Sequence, residues 1–360
     1  MAVISKSSVI RIKALGLHWR GSRLLAFEVY DNEGHLKGVR PLSGSMEFDQ
    51  TAKDAVVREF NSGSGKHWRF TLLAELRYVL VDSVQEYREI NVMTSEKTVS
   101  FKSGGQTIMG TIRQAKTPEN STFLLLHGFA GTRNELVIPS LGIGIFEYVA
   151  AALGDLGHSS LRIDFRGSGD SDGSTEETSY STQIDDCLAA MDFIAAQPSL
   201  GNGKIVLLGW SQGGLVAAAA AGRTNRPSGV ALWAAVGEPH ISFPGLIGQD
   251  AYLRGLDSKG ATKLTLPWGA SITLGPQFFL EVASFAPVAE LSRYVGPAFI
   301  AEGTLDDAIP RGTAKKFAAA HAGENIVWEA AMDHVFNTAS SVETLNSLIG
   351  ATVRYLRNHG

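Results

Sequence analysis

A chain of 360 residues has room for two domains at a prior of about 150 residues each, and each could bury a core. With 32 basic and 36 acidic side chains the formal charge is −4, which does not suggest a polyanion partner such as nucleic acid. No run approaches the roughly 20 apolar residues of a membrane span, MAVISKSSVIRIK lacks the apolar centre of a signal peptide, and the lone Cys187 excludes an intrachain disulfide; the expectation is a cytoplasmic protein with no membrane partner.

In chain order, VIRIKALGL (9–17) and RLLAFEVY (23–30) read as strands, QTAKDAVVREF (50–60) as a helix, and LRYVLVDSV (76–84) and YREINVM (87–93) again as strands. This mixture suggests a small α+β unit. The polar TSEKT (94–98) marks a boundary, giving domains 1–95 and 96–360. FKSGGQTIMGTIRQ then reads as a hairpin turning at Ser103 to Gln106.

Beyond it, short apolar runs alternate with helical patterns. Strands are expected at TFLLL (122–126), SSLRIDF (159–165), KIVLLG (204–209), VALWAAV (230–236), PAFIAEG (297–303) and NIVWEAA (325–331). Helices are expected at TQIDDCLAAMDFIAAQ (182–197) and at the C-terminal VETLNSLIGATVRYLRNH. The alternation predicts an α/β fold with a mainly parallel sheet covered on both faces. From about 239 to 290 the rhythm breaks into a Gly-, Pro- and aromatic-rich interval too long for a simple connection, which reads as a cap inserted over one end of the sheet.

Gly209-Trp210-Ser211-Gln212-Gly213 sits where a predicted strand meets a predicted helix. A nucleophile on so tight a turn needs small neighbours two places away, and the helix start behind it favours negative charge developing on a substrate oxygen. A serine hydroxyl also needs a base, and the base an orienting carboxylate. Both are supplied downstream at strand ends: Asp306 in GTLDDAIP and His334 in DHVFN.

With the HGF of LLLHGFAGTRN and the segment DFRGSGDS (164–171), these motifs resemble, in kind and order, the α/β-hydrolase superfamily over residues 96 to 360. Within it the chain looks most like cinnamoyl or feruloyl esterases and related serine-peptidase-like hydrolases. The resemblance implies an α/β-hydrolase fold, Ser211 as nucleophile, His334 as general base and acid, and Asp306 as the orienting carboxylate, with Asp307 the solvated alternative. It implies an oxyanion hole from the backbone N–H groups of Phe129 and Gln212. The substrate it implies is a small-molecule acyl ester cleaved through an acyl-enzyme. An amide, a thioester or transfer of the acyl group to another acceptor stays open with the same triad.

His127 is expected to hold loop structure, and His158, His240 and His321 to lie in loops or at the surface. Arg166 is expected to brace loops. No cluster has metal-ligand spacing, so no metal or cofactor is expected. Phe243, Tyr252, Trp268, Phe278, Phe279 and Phe285 either wall a pocket for an apolar or aryl acyl group or form the cap's own core.

RPLSGSMEFDQTAKDAVVREFNSGSG (40–65) resembles a Nudix box, matched at Gly44, Arg58, Glu59, Phe60 and Gly65. The resemblance extends over about residues 7 to 92. Nudix chemistry holds magnesium on several carboxylates. Here Gln50, Ser62 and Gly63 stand where three of them belong, and only Glu59 remains. The reading is a Nudix-like domain without phosphohydrolase chemistry; ligand binding, shaping the hydrolase cleft and homodimer formation remain open roles for it. GSGK (63–66) lacks the first glycine and the Ser/Thr of a phosphate loop.

Overall fold

The computed structural model describes residues 96–115, 121–200, 203–267 and 269–359, together with the backbone of four strands before residue 82. Contacts divide the chain into two compact units, Met1–Thr94 and Ser95–Gly360.

In the first unit, β1 (Ile10–Trp19), β2 (Ser22–Tyr30), β3 (Leu36–Pro41) and β4 (Tyr78–Val81) form an antiparallel sheet in the order β3-β2-β1-β4. Three of these lie where alternation and β-branched content predict strands. The sequence reading passes over β3, whose LKGVRP carries a glycine, two cations and a proline. Its edge position accounts for that, because an edge strand tolerates a proline that a central one cannot. The expected helix 50–60 and strand 87–93 lie outside the described residues, and so does the Nudix-like segment beyond Arg40 and Pro41.

The second unit is built on an eight-stranded sheet in the order β16-β15-β12-β11-β7-β10-β6-β5. Its antiparallel edge is the predicted hairpin, β5 (Glu96–Ser103) and β6 (Gln106–Arg113), with Ser103 opposite Gln106. Then come β7 (Thr122–Leu126), a short hairpin of β8 (Val137–Ile138) and β9 (Ile143–Gly144), helix α1 (Ile145–Asp155), and β10 (Ser159–Ile163). Helix α2 (Tyr180–Ala195) leads to β11 (Ile205–Trp210), α3 (Gln212–Thr224) and β12 (Gly229–Trp233). After the cap follow β15 (Ala298–Gly303), α8 (Thr313–Ala320), β16 (Asn325–Ala330) and α9 (Glu343–His359). From β10 to β16 neighbouring strands pair in parallel.

Every residue of β7, β10, β11, β12 and β15 is buried. Strands covered on both faces favour apolar side chains, which is why most of them read as near-continuous runs, with Ser159, Ser160 and Arg162 of β10 as buried polar exceptions. The edge strand β5 alternates instead. Helix α3 packs so closely that a Cβ at Gly222 would overlap the carbonyl of Glu290.

Two of the element ends that differ from expectation have a clear local cause. Helix α2 starts at Tyr180 because Ser179 caps it, its hydroxyl accepting the Thr182 N–H at 3.1 Å while the Thr182 hydroxyl accepts the Ser179 N–H. Strand β12 stops at Trp233 because Ala234 turns to φ 44°.

The interval 239–290 folds as α4 (Pro239–Ile247), α5 (Gln249–Asp257), a hairpin of β13 (Thr262–Thr265) and β14 (Ser271–Leu274), α6 (Pro276–Ser284) and α7 (Pro287–Leu291). Glu281 ties α6 to the start of α2, accepting from the Ser181 N–H at 2.9 Å and the Ser181 hydroxyl at 2.7 Å. Among the described residues no helix is long and apolar enough to cross a membrane.

Candidate active site

Sheet order decides which loops meet. Strands β7 and β11 are parallel neighbours with Leu126 beside Gly209, so His127-Gly128-Phe129 and Trp210-Ser211 leave the sheet side by side. Ser211 occupies the single residue between β11 and α3, at φ 56° and ψ −117°. A non-glycine residue there is strained and persists only where its surroundings over-determine it. They do: its N–H donates to Trp233 O at 3.0 Å, and its carbonyl accepts the N–H of Val236 at 3.0 Å and of Gly214 at 3.0 Å. The two flanking glycines are steric necessities. A Cβ on Gly209 would sit 2.1 Å from Gly213 O, and one on Gly213 would sit 1.9 Å from Leu126 O.

Asp306 and His334 come from loops after β15 and β16, across β12 from the serine. The 304–312 loop is pinned by Glu302, whose carboxylate accepts the N–H groups of Gly312 at 2.7 Å and Ala314 at 2.8 Å at the start of α8. Asp306 Oδ1 accepts the amides of Ala308 at 2.8 Å and Ile309 at 3.0 Å, so Oδ2 is left for the histidine. The His334 loop reaches back over the sheet on aromatic supports. Trp210 donates its indole N–H to His334 O at 3.0 Å, and the buried Phe336 packs against Trp210 and Trp233. Asp333 and Asn337 close this loop, the Asp333 carboxylate accepting the amides of Val335 and Asn337.

These supports bring the three side chains into one line. His334 Nε2 lies 3.1 Å from Ser211 Oγ, and His334 Nδ1 lies 2.9 Å from Asp306 Oδ2. The Asp306 side chain is 1% exposed and the imidazole 21%, whereas Asp307 is exposed. With Nδ1–H donating a hydrogen bond to the carboxylate, Nε2 presents a lone pair to the serine hydroxyl, the arrangement a general base requires.

Gln212 opens α3, so its amide has no carbonyl a turn earlier in the helix to bond. Its side chain is buried and donates to Gln183 Oε1 at 2.8 Å. The Phe129 ring packs on Phe243, with centroids 4.7 Å apart, and on Phe278 at 5.7 Å. Phe243, Tyr252, Phe278 and Phe279 are buried in the cap, and Phe285 is partly exposed against Tyr180. Trp268 lies outside the described residues.

His127 is spent on structure: its Nε2 accepts the Phe165 N–H at 3.2 Å, which leaves Nδ1–H to donate to Gly128 O at 2.8 Å. Burial lowers its pKa and keeps it neutral. His158 is buried beside Ser121, His321 is buried against Tyr294, and His240 is exposed. Arg166 makes a forked pair with Asp186 and reaches Ser103 at 3.0 Å. Among the described residues no group of three or more His, Cys, Asp or Glu is placed to hold a metal ion.

Sequence reasoning missed three residues. Arg133 bridges the buried Asp164 and the exposed Asp170, fastening the HGF loop to the DFRGSGDS segment. Glu302 looks in sequence like any strand carboxylate. Glu135 accepts the Gly128 N–H through Oε1, and burial pushes its carboxyl up to about 8.

Residues 121–251 match the family described as alpha/beta hydrolase fold. No curated protein matches the chain. Among solved structures, Est1E from Butyrivibrio proteoclasticus with bound ferulic acid is 18% identical, covering 72% of this chain and 99% of its own, with a TM-score of 0.57. The alpha/beta hydrolase GrgF from a Penicillium species is 20% identical, covering 73% and 98%, with a TM-score of 0.55. An esterase of Pyrococcus furiosus is 15% identical, covering 77% and 96%, with a TM-score of 0.55. The second unit thus has the α/β-hydrolase fold, with a mainly parallel sheet flanked by helices.

Proposed function

We propose that this protein is a serine hydrolase that cleaves a carboxylic ester through an acyl-enzyme. The observation that carries the reading is the continuous chain from Ser211 Oγ through His334 to Asp306, at 3.1 and 2.9 Å. Ser211 attacks the acyl carbonyl while His334 Nε2 takes its proton and Asp306 holds the imidazole. The amides of Phe129 and Gln212 receive the developing negative charge, each such donor being worth about 3 to 4 kcal/mol of transition-state stabilisation. His334 then returns the proton to the leaving alcohol. Water, deprotonated by the same imidazole, releases the acid. The aromatic side chains around Phe129 suit an apolar or aryl acyl group, and a resemblance of fold to esterases supports the reaction class.

The N-terminal unit is taken as a Nudix-like domain without phosphohydrolase chemistry, since Glu59 alone cannot make the carboxylate set that magnesium needs.

The test is Ser211→Ala, assayed on an activated aryl ester and with a fluorophosphonate probe. Turnover and labelling are both expected to vanish while the fold, read by circular dichroism, survives. A variant that keeps both would sink the nucleophile assignment. A panel of esters, thioesters and amides run on the wild type separates the ester reading from the amidase, thioesterase and acyltransferase ones.

A further inference from the structure

The loop that carries Phe129 turns on a carboxyl for which the reaction above has no role. Glu135 Oε1 accepts the N–H of Gly128, the residue before Phe129. A methyl group placed on Gly128 would touch Ser211 Cβ at 3.5 Å on one hand and Glu135 Oε1 at 3.6 Å on the other. The glycine therefore lies between the nucleophile and the carboxyl. The turn is closed from within, the Gly131 N–H donating to Gly128 O at 3.2 Å and the Glu135 N–H to Thr132 O at 2.9 Å.

Glu135 is itself fixed. It stands at φ 60°, outside the ordinary range for a side-chain-bearing residue. The carbonyls on either side of it, Asn134 O and Leu136 O, accept the N–H groups of Phe146 and Ile145 at the start of α1. The anchor is thus a buried helix start rather than a free loop.

Charged neighbours on the same and adjoining segments are engaged elsewhere. Arg133 is paired with Asp164 and Asp170, both His127 nitrogens are bonded to backbone, and His334 faces Asp306 and Ser211. Desolvation raises the Glu135 carboxyl to about 8. In its protonated form it accepts the Gly128 N–H without setting a negative charge beside the forming oxyanion.

We propose that Glu135 is the positioning residue of the oxyanion loop: through Gly128 it fixes where the Phe129 N–H points as charge develops on the substrate oxygen. This rests on the serine-hydrolase reading above. A donor aimed at the transition state acts on kcat, and one that binds ground and transition states alike acts on KM.

The experiment measures kcat and KM separately on an activated ester for Glu135→Ala and Glu135→Gln. The alanine variant is expected to lose about 10- to 100-fold in kcat with KM within about twofold. The glutamine variant keeps an acceptor at the same reach and is expected to hold kcat within about threefold of wild type. An alanine variant with wild-type kcat overturns the proposal, as does one whose loss is wholly in KM or a glutamine variant no better than alanine. If Glu135→Ala does not fold, Glu135→Asp replaces it, and a wild-type kcat there counts against the proposal equally. Fluorophosphonate labelling of wild type and Ser211→Ala keeps the two readings apart. Labelling that requires Ser211 together with an indifferent Glu135→Ala defeats only the positioning role; labelling that ignores Ser211 defeats the serine-hydrolase reading first.

Discussion

In the proposed mechanism Asp306 serves Ser211 through His334, by fixing the ring's tautomer and stabilising the imidazolium that forms. Its Oδ1 is already occupied by the Ala308 and Ile309 amides. An asparagine would keep its oxygen there and turn its NH2 toward His334 Nδ1, forcing the ring proton onto Nε2, where it can no longer accept from the serine. Asp306→Asn is therefore expected to lower kcat by about three to four orders of magnitude with little change in melting temperature, checked by steady-state kinetics beside a thermal melt. Glu135 makes the second prediction at this scale. Its carboxyl rises from 4.5 to about 8 on folding, so the folded state keeps a proton that the unfolded chain releases. The stability this confers is complete below pH 4.5 and is lost as the pH climbs through about 8. His127 and His321, whose pKa values burial lowers from 6.5, act in the opposite sense and only in the more acidic range. Melting temperature measured from pH 6.5 to 9 should fall in the wild type and stay flatter in Glu135→Gln; parallel curves would contradict a Glu135 carboxyl raised on folding. Ser211 and Asp306 could be proposed from sequence because glycine and proline punctuate their turns, at Gly209, Gly213, Gly303 and Pro310, and His334 because it follows the last predicted strand. Glu135 could not, since a carboxylate among polar loop residues reads as solvated until the fold shows it desolvated.

At the scale of elements, the turn between β11 and α3 is held by backbone approaching backbone. A Cβ on Gly213 would come within 1.9 Å of Leu126 O and 2.6 Å of His127 O, both part of the strand and loop that deliver Phe129. Neither carbonyl belongs to a flexible side chain that could swing aside. Gly213→Ala is thus expected to cost about 1 to 3 kcal/mol or more of stability through overpacking and to cut ester turnover with it, read by denaturant unfolding and kinetics. Strand positions were legible because a doubly covered sheet favours near-continuous apolar runs. Element ends were less so: the Ser179 cap moves the start of α2, and the turn at Ala234 shortens β12, both decisions of single hydrogen-bonding or backbone events. The cap's aromatics were visible as residues, yet their partition was not. Phe278 and Phe279 are fully buried, while Phe285 keeps some exposure.

Across the whole molecule, the second unit gathers a site from segments 123 residues apart, the separation between Ser211 and His334. Parallel strands make this happen, because successive crossovers return each chain segment to the same edge. The apolar runs and the Gly-x-Ser-x-Gly, Asp and His order determined the fold class and named three candidate site residues, since those features answer to local sterics and to burial on both sheet faces. Tertiary structure alone decided how the imidazole crosses the sheet on Trp210, Phe336 and Trp233, how Glu302 pins the Asp306 loop, and how Glu135 comes to lie beneath Gly128. Each of these depends on which residues distant in the chain share one small volume and on how much water that volume excludes, and neither quantity is written in a local pattern.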